Sequence, residues 1–288
     1  CDSFIDTPTS STAVGNNRGN YCTLNEFAKS SNLSLSNGAL EASSNNNQHH
    51  AVLGTFALNS GKWYFEMQLK DDAAAPDIGW HEVEYTTAQL QNFNGTSRPG
   101  SYCVSTDGNN NNIRTHNDGT TTTVSASSWA TGDIIGCAID LDAKKIWFRK
   151  NNSAWYPATN GGATGDPVAG TNPSISYTYS GLLTPRTSCY SNNYRPIINF
   201  GARSDFSYTP PTGYLSLCTQ NLGTPLIEKS SKHFQQSIWT GTNAARTITT
   251  TGMSPDLVWI KSRSNGSWHE LFDTIRGPLK QLYSNEPN

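Results

Sequence analysis

Residues 132–157 read Gly132-Asp-Ile-Ile-Gly-Cys-Ala-Ile-Asp-Leu-Asp-Ala-Lys-Lys-Ile-Trp-Phe-Arg-Lys-Asn-Asn-Ser-Ala-Trp-Tyr-Pro157. The first run places Ile135, Cys137, Ile139 and Leu141 at every second position. The second places Ile146 and Phe148 on one face, with Trp147 and Arg149 on the other. Residues two apart in a strand share a face, so both runs read as strands with one buried face. Asp142-Ala143-Lys144 between them is a polar turn, and Asn151-Asn152 ends the second run. The stretch is therefore predicted to be a β-hairpin.

Working outward, the strongest single strand is Gly61-Lys62-Trp63-Tyr64-Phe65-Glu66-Met67-Gln68-Leu69. Trp63, Phe65, Met67 and Leu69 share one face; Tyr64, Glu66 and Gln68 share the other. Shorter strands are expected at 21–24, at 52–58, at Asp77-Ile78-Gly79-Trp80, at Ser101-Tyr102-Cys103-Val104 and at 194–201. Residues 33–40 carry an Asn37-Gly38 turn signal and read as two short strands. The Asn/Thr-rich passage 107–123 reads as one long loop or ragged hairpin, and 160–180 as a Gly/Pro/Asn-rich insertion. No helix is expected before residue 220. Short strands with regular turn signals predict an all-β, two-sheet antiparallel sandwich.

Composition bounds the function. The 288 residues are 35% hydrophobic and 15% charged, with eight Trp and twelve Tyr, a balance found in β-rich extracellular or viral surface proteins. Net charge is −2 and no basic run occurs, which argues against a nucleic-acid surface. No apolar stretch approaches a membrane span or a signal core, so no membrane partner is expected. Cys1, Cys22, Cys103, Cys137, Cys189 and Cys218 show no Cys-x-x-Cys spacing, so neither a zinc nor a thioredoxin-type site is expected. Cys137 is expected to be a free, buried thiol. The chain starts at Cys1 and reads as a fragment of a longer polypeptide. Sequons at Asn32, Asn94, Asn151 and Asn265 carry little weight in a chain so rich in Asn, Ser and Thr.

Three segments are expected: an extended arm at 1–18, the sandwich at 19–221, and a partial second module or packed tail at 222–288. In the last, 253–261 reads as a strand, and Leu271, Phe272 and Ile275 recur at near-helical spacing before Gly277-Pro278. The tail is too short and polar for a comfortable independent domain.

The ordered set Gly61–Glu66, Asp77–Trp80, Gly132–Leu141, Ile146–Asn151 and Ile198-Asn199-Phe200-Gly201 resembles a SPRY domain, a concanavalin-like jelly roll. The likeness covers residues 20–220. Thr7-Pro8-Thr9, Asn20–Asn25, Tyr208–Tyr214, Leu217–Leu222 and Ser254–Ser264 resemble SPRY-like modules of bacteriophage tail-fibre and other virion proteins, where the last motif opens a further β-rich module. Relatives commonly carry Gln and Pro-Phe after Asn-Phe-Gly; Ala202–Phe206 departs from this. The resemblance implies a virion location, no cofactor, a trimeric or other homo-oligomer, and contacts with other virion proteins and with a host-surface glycan or protein. SPRY modules bind with loops at one end of the sandwich. Here the long loops are 86–100, 107–123 and 160–179, which makes Arg98, Tyr102, Arg114, His116, Trp155, Tyr177 and Tyr179 the candidate ligand residues.

Other chemistries are weaker. A retaining glycosidase needs two carboxylates about 5 Å apart. Glu82 and Glu84 have strand spacing, but the Glu-x-Asp-x-x-Glu pattern of jelly-roll glucanases is absent and Glu66 stands alone. His49 and His50 point to opposite faces and are expected at the surface; His81, His116, His233 and His269 have no evident partner. Asp107 and Asp118 lack EF-hand spacing. No metal and no catalytic residue are expected. Trp63, Trp80, Trp147 and Trp155 are either core or a carbohydrate platform, with Trp63 assigned to the core. The competing readings are a decoration or shaft protein making subunit contacts, an intracellular SPRY adaptor, and a jelly-roll glycosidase.

Overall fold

The computed structural model describes residues 20–71, 76–91, 99–107, 112–190, 195–201, 205–223 and 229–285. The chain divides into two compact units, Cys1–Leu222 and Gly223–Asn288. In the first unit, β1 (Leu24–Lys29), β2 (Leu33–Ser36), β3 (Glu41–Ser44), β4 (His50–Gly54), β5 (Lys62–Leu69) and β6 (Asp77–Glu82) precede a single-turn helix, α1 (Thr87–Leu90). There follow β7 (Ser101–Asp107), β8 (Asn112–Asn117), β9 (Thr120–Ser125), β10 (Ile134–Asp140), β11 (Lys145–Lys150), β12 (Ile175–Ser176), β13 (Leu183–Cys189), β14 (Pro196–Asn199) and β15 (Leu215–Ser216).

These strands form two sheets. One runs β1-β4-β13-β6-β7-β8-β9; the other runs β12-β11-β10-β5-β14-β3-β2, with β15 parallel to β5 and every other pair antiparallel. The hairpin read from the sequence is β10–β11, with Cys137 opposite Phe148 and Asp140 opposite Lys145. Its turn closes on Lys144 at φ 56°.

The alternating residues do what their period requires. Trp63, Phe65, Met67 and Leu69 of β5, Ile135, Cys137 and Ile139 of β10, and Ile146 and Phe148 of β11 enter one core with Ile78, Trp80 and Val104 from the opposite sheet. The Phe65 ring meets Trp80 edge-on at 5.8 Å and stacks on Phe200 at 5.3 Å, which ties sheet to sheet. Each such fully buried ring contributes about 1.5–3 kcal/mol. Trp80 and Trp147 are fully buried, so neither is a platform; the Trp147 Nε1 donates to the Thr171 carbonyl at 2.9 Å.

Both outer faces also carry buried residues. Behind the second sheet, Tyr64, Ala138, Trp147 and Tyr214 pack together with Trp155 and Phe206. Glu66 accepts the Tyr64 hydroxyl at 2.9 Å and the backbone N–H groups of Ser207 and Tyr208 at 2.8 and 3.0 Å. Arg149 donates to the Thr209 carbonyl at 2.8 Å. These two side chains latch the segment 205–214 over the sheet. Behind the first sheet, Arg186 and Asp77 form a fully buried ion pair at 2.8 Å.

Several expectations change. The strand placed at 21–24 is β1, at 24–29; Tyr21 precedes it, in an isolated bridge to Cys218. The passage 107–123 holds two paired strands, β8 and β9, joined by Asp118-Gly119, so of its two readings the hairpin stands. Residues 108–111 lie outside the described residues. His50 is buried, not at the surface: Ser30 Oγ lies 2.8 Å from its Nδ1 and Asn46 Oδ1 2.7 Å from its Nε2. Cys137 is a buried thiol in no disulfide, as expected, and the same holds for Cys22, Cys103, Cys189 and Cys218. The arm at 1–18 lies outside the described residues.

In the second unit, β16 (Leu257–Ile260), β17 (Glu270–Asp273) and β18 (Leu282–Tyr283) form an antiparallel sheet in that order. The helical spacing of Leu271, Phe272 and Ile275 is not a helix. Leu271 and Phe272 pair with Trp259 and Val258, and those ladder bonds take the backbone groups a helix would use. Ile275 falls in the turn that follows, closed by the Gly277 N–H on the Asp273 carbonyl at 3.0 Å. No described residue of this unit is buried; Phe234, Ile238, Trp259, Trp268 and Leu279 are all exposed.

Candidate functional site

The core thins at one edge of the sandwich. Along the inner face of β8 the residues are Ile113, Thr115 and Asn117; along β9 they are Val124, Thr122 and Thr120. Ile113 and Val124 are core residues, and the next two rungs present hydroxyls and an amide instead. The two-residue turn suits its sequence: Asp118 and Gly119 both hold positive φ, 45° and 85°, as a tight hairpin link requires. The Asp118 carboxylate accepts the Gly100 N–H at 2.9 Å and fixes the turn.

Facing these rungs are β12, with Ile175 and Ser176, and the segments 158–163 and 172–174. Between the two walls lies a cleft of about 530 Å³, lined by Thr115, Asn117, Thr120 and Thr122 on one side and by Thr159, Ala163 and Ser176 among others on the other. The Asn117 Nδ2 donates to the Ser176 carbonyl at 2.9 Å and closes one end.

Beyond that bond sit three of the sequence-selected aromatics. Tyr102, opposite Asn117 across the β7–β8 pair, packs on Tyr177 with ring centroids 5.0 Å apart. The Tyr102 hydroxyl donates to Glu82 Oε1 at 2.7 Å. Burial first, then Glu82, raises the Tyr102 pKa, so the phenol stays protonated. Tyr177 is also buried, and Tyr179 is half-buried against the same core. Lys144 holds this segment through the Thr178 carbonyl at 3.0 Å and Ser180 Oγ at 2.8 Å.

The other selected residues do not join them. Tyr102, His116 and Tyr177 are buried rather than displayed on loops. His116 lies on the outer face of β8 and has partners, contrary to expectation: Ser105 Oγ at 2.8 Å from Nε2 and Thr121 Oγ1 at 3.1 Å from Nδ1. Arg114 shares that outer face, away from the cleft. Trp155 is on the outer side of the other sheet, with the Arg149 guanidinium 4.6 Å above its ring. Arg98 lies outside the described residues. The threonines of the cleft escaped the sequence reading, although Asp118-Gly119 between alternating residues was a signal for them.

Two of the carboxylates weighed for hydrolysis, Glu82 and Glu66, have internal duties, while Glu84 is exposed. Glu82 accepts from Tyr102, and Glu66 is saturated by three donors. Among the described residues, no group of three His, Cys, Asp or Glu could hold a metal.

Residues 62–168, from β5 past β11, match the SPRY domain family. The first unit is a SPRY-like jelly-roll module. Residues 229–288 match a domain of unknown function, DUF7483. The SPRY domain of human HERC1 is 17% identical, covering 61% of this chain and 96% of that one, with a TM-score of 0.43. The PSpry domain of TRIM65 is 13% identical, covering 62% of this chain and 92% of that one, with a TM-score of 0.45. No curated protein matches the chain. The match of residues 62–168 to the SPRY family suggests a protein-interaction module.

Proposed function

We propose that this chain is a non-enzymatic surface protein of a bacteriophage virion, a tail fibre or related appendage, whose SPRY-like module binds a host-surface glycan or protein. The observation that carries the binding role is the polar cleft at the β9–β12 edge, beside Tyr102, Tyr177 and Tyr179. A rigid sandwich presenting one polar recess suits recognition, because the scaffold bears the ordering cost before the partner arrives. The virion assignment rests on the resemblance of residues 208–222 and 254–264 to tail-fibre modules. Antibody raised against the chain should label the tail of intact phage in electron micrographs, and purified chain should block adsorption to the host. A chain found only in host cytoplasm, with unlabelled virions, overturns the proposal.

One observation favours a second reading, in which the chain is structural. The second unit exposes Phe234, Ile238, Trp259 and Trp268, a surface suited to neighbouring subunits, whether copies of this chain in a trimer or other virion proteins. Phage carrying Thr120→Lys in the cleft wall then adsorb normally and keep their host range.

A further inference from the structure

The cleft between β9 and β12 has a composition that selects among ligands. None of its thirteen lining residues is ionisable: they are Thr, Asn, Ser, Gly, Ala, Pro and Ile. A charged ligand entering it finds no counter-ion and leaves part of its hydration behind, which is costly without a paired charge. Four lining hydroxyls, those of Thr120, Thr122, Thr159 and Ser176, have no hydrogen-bond partner among the described residues, and both walls contribute to the set. Ile175, Pro173, Ala158 and Ala163 supply apolar surface between them.

The backbone of the cleft argues against an extended peptide. A peptide adding to a sheet edge needs free main-chain donors and acceptors. The Thr123 carbonyl on the outer edge of β9 already accepts the Asn160 N–H at 2.9 Å, and the Ser176 carbonyl on β12 is taken by Asn117. Side-chain hydroxyls with apolar patches between them are left to make contacts. That pattern matches a sugar ring, which has C–H faces and hydroxyl edges and carries no charge. A volume of about 530 Å³ falls in the range of small-ligand sites.

We propose that this cleft binds an uncharged glycan segment, with Thr120, Thr122, Thr159 and Ser176 as the hydrogen-bonding groups. The inference rests on the recognition role proposed above and specifies its ligand class. The test uses the full chain against an array of neutral oligosaccharides (glucans, mannans, galactans) and acidic ones (sialylated and uronic-acid-containing). Two variants block the cleft at exposed positions where folding is not at stake, Thr120→Lys and Ala163→Trp; Ser153→Ala, exposed and outside the cleft, is the control. Neutral oligosaccharides are expected to bind, with at least a tenfold loss in both blocking variants and none in the control. Binding restricted to acidic sugars, neutral binding untouched by both variants, capture of peptides instead of sugars, or no binding at all overturns the glycan assignment. Should purified chain still block phage adsorption after any of those results, the recognition role stands and only its ligand class falls.

Discussion

Acidification from pH 7 to pH 5 is expected to remove about 2 kcal/mol of stability from the sandwich through one imidazole. His81 is fully buried on β6, and its Nδ1–H donates to the Glu82 carbonyl at 2.7 Å. Its Nε2 is buried with no hydrogen-bond partner among the described residues. Burial, and after it the Arg186 guanidinium, push the pKa from 6.5 down to about 4. The folded state therefore holds the ring neutral, while the unfolded chain protonates it readily. This contribution is present above the unfolded value and is lost as pH falls toward the folded one, because the unfolded state binds more protons across that window. With those two values the linkage relation costs about 0.2 kcal/mol at pH 7 and about 2 kcal/mol at pH 5. Denaturant titrations followed by tryptophan fluorescence, at both pH values, measure it. His50, whose pKa burial also lowers, adds a loss of the same sign. The control is therefore His81→Gln, which keeps a donor for Glu82 and cannot titrate. The variant should be less stable at pH 7 yet lose about 2 kcal/mol less than the parent on going to pH 5. Equal losses in both proteins would refute the reasoning.

Three further outcomes follow from the packing. Glu66→Gln puts an amide donor where one of three donors now meets a carboxylate, and should cost about 2 kcal/mol while opening residues 205–214 to protease; unchanged cleavage there argues that Arg149 alone holds the strap. Gly136→Ala sets a methyl 2.7 Å from the Tyr64 hydroxyl on the crowded outer face of β10, and should lower stability by about 1–3 kcal/mol in the same titration. The isolated fragment 222–288, in which no described residue is buried, should be unfolded as a monomer by circular dichroism; a sharp cooperative melt would show that its boundary is misplaced.

What the sequence showed and hid divides along one physical line. Local patterns were legible: the period-two alternation of β5, β10 and β11 named their core-facing residues because a strand must place alternate side chains on one face. Partners distant in the chain were not. Glu66 looked like a lone carboxylate because two of its three donors, Ser207 and Tyr208, lie some 140 positions away. His50 looked superficial because Ser30 arrives from the end of β1. In the second unit, the spacing of Leu271, Phe272 and Ile275 fitted a helix only until β16 claimed the backbone. Spacing counts side chains, whereas secondary structure is decided by which main-chain groups find partners.

The cleft sharpens the point, because its signal was local and still went unread. Residues 112–125 carry few apolar side chains, and a count of hydrophobic residues classes them as loop. Thr is nevertheless a strong strand former, since its β-branched side chain fits the pleated surface, and Asp118-Gly119 is a hairpin turn by chemistry alone. Weighted by those two facts, the passage spells two strands whose inward positions happen to be Thr115, Asn117, Thr120 and Thr122. Hydroxyls at inward positions of a sandwich strand leave their rungs too polar for the core. Where such rungs end two facing edges, the sheets cannot close on each other, and the gap between them is a polar recess of the kind seen between β9 and β12. The features that hid the strands are therefore the ones that made the recess.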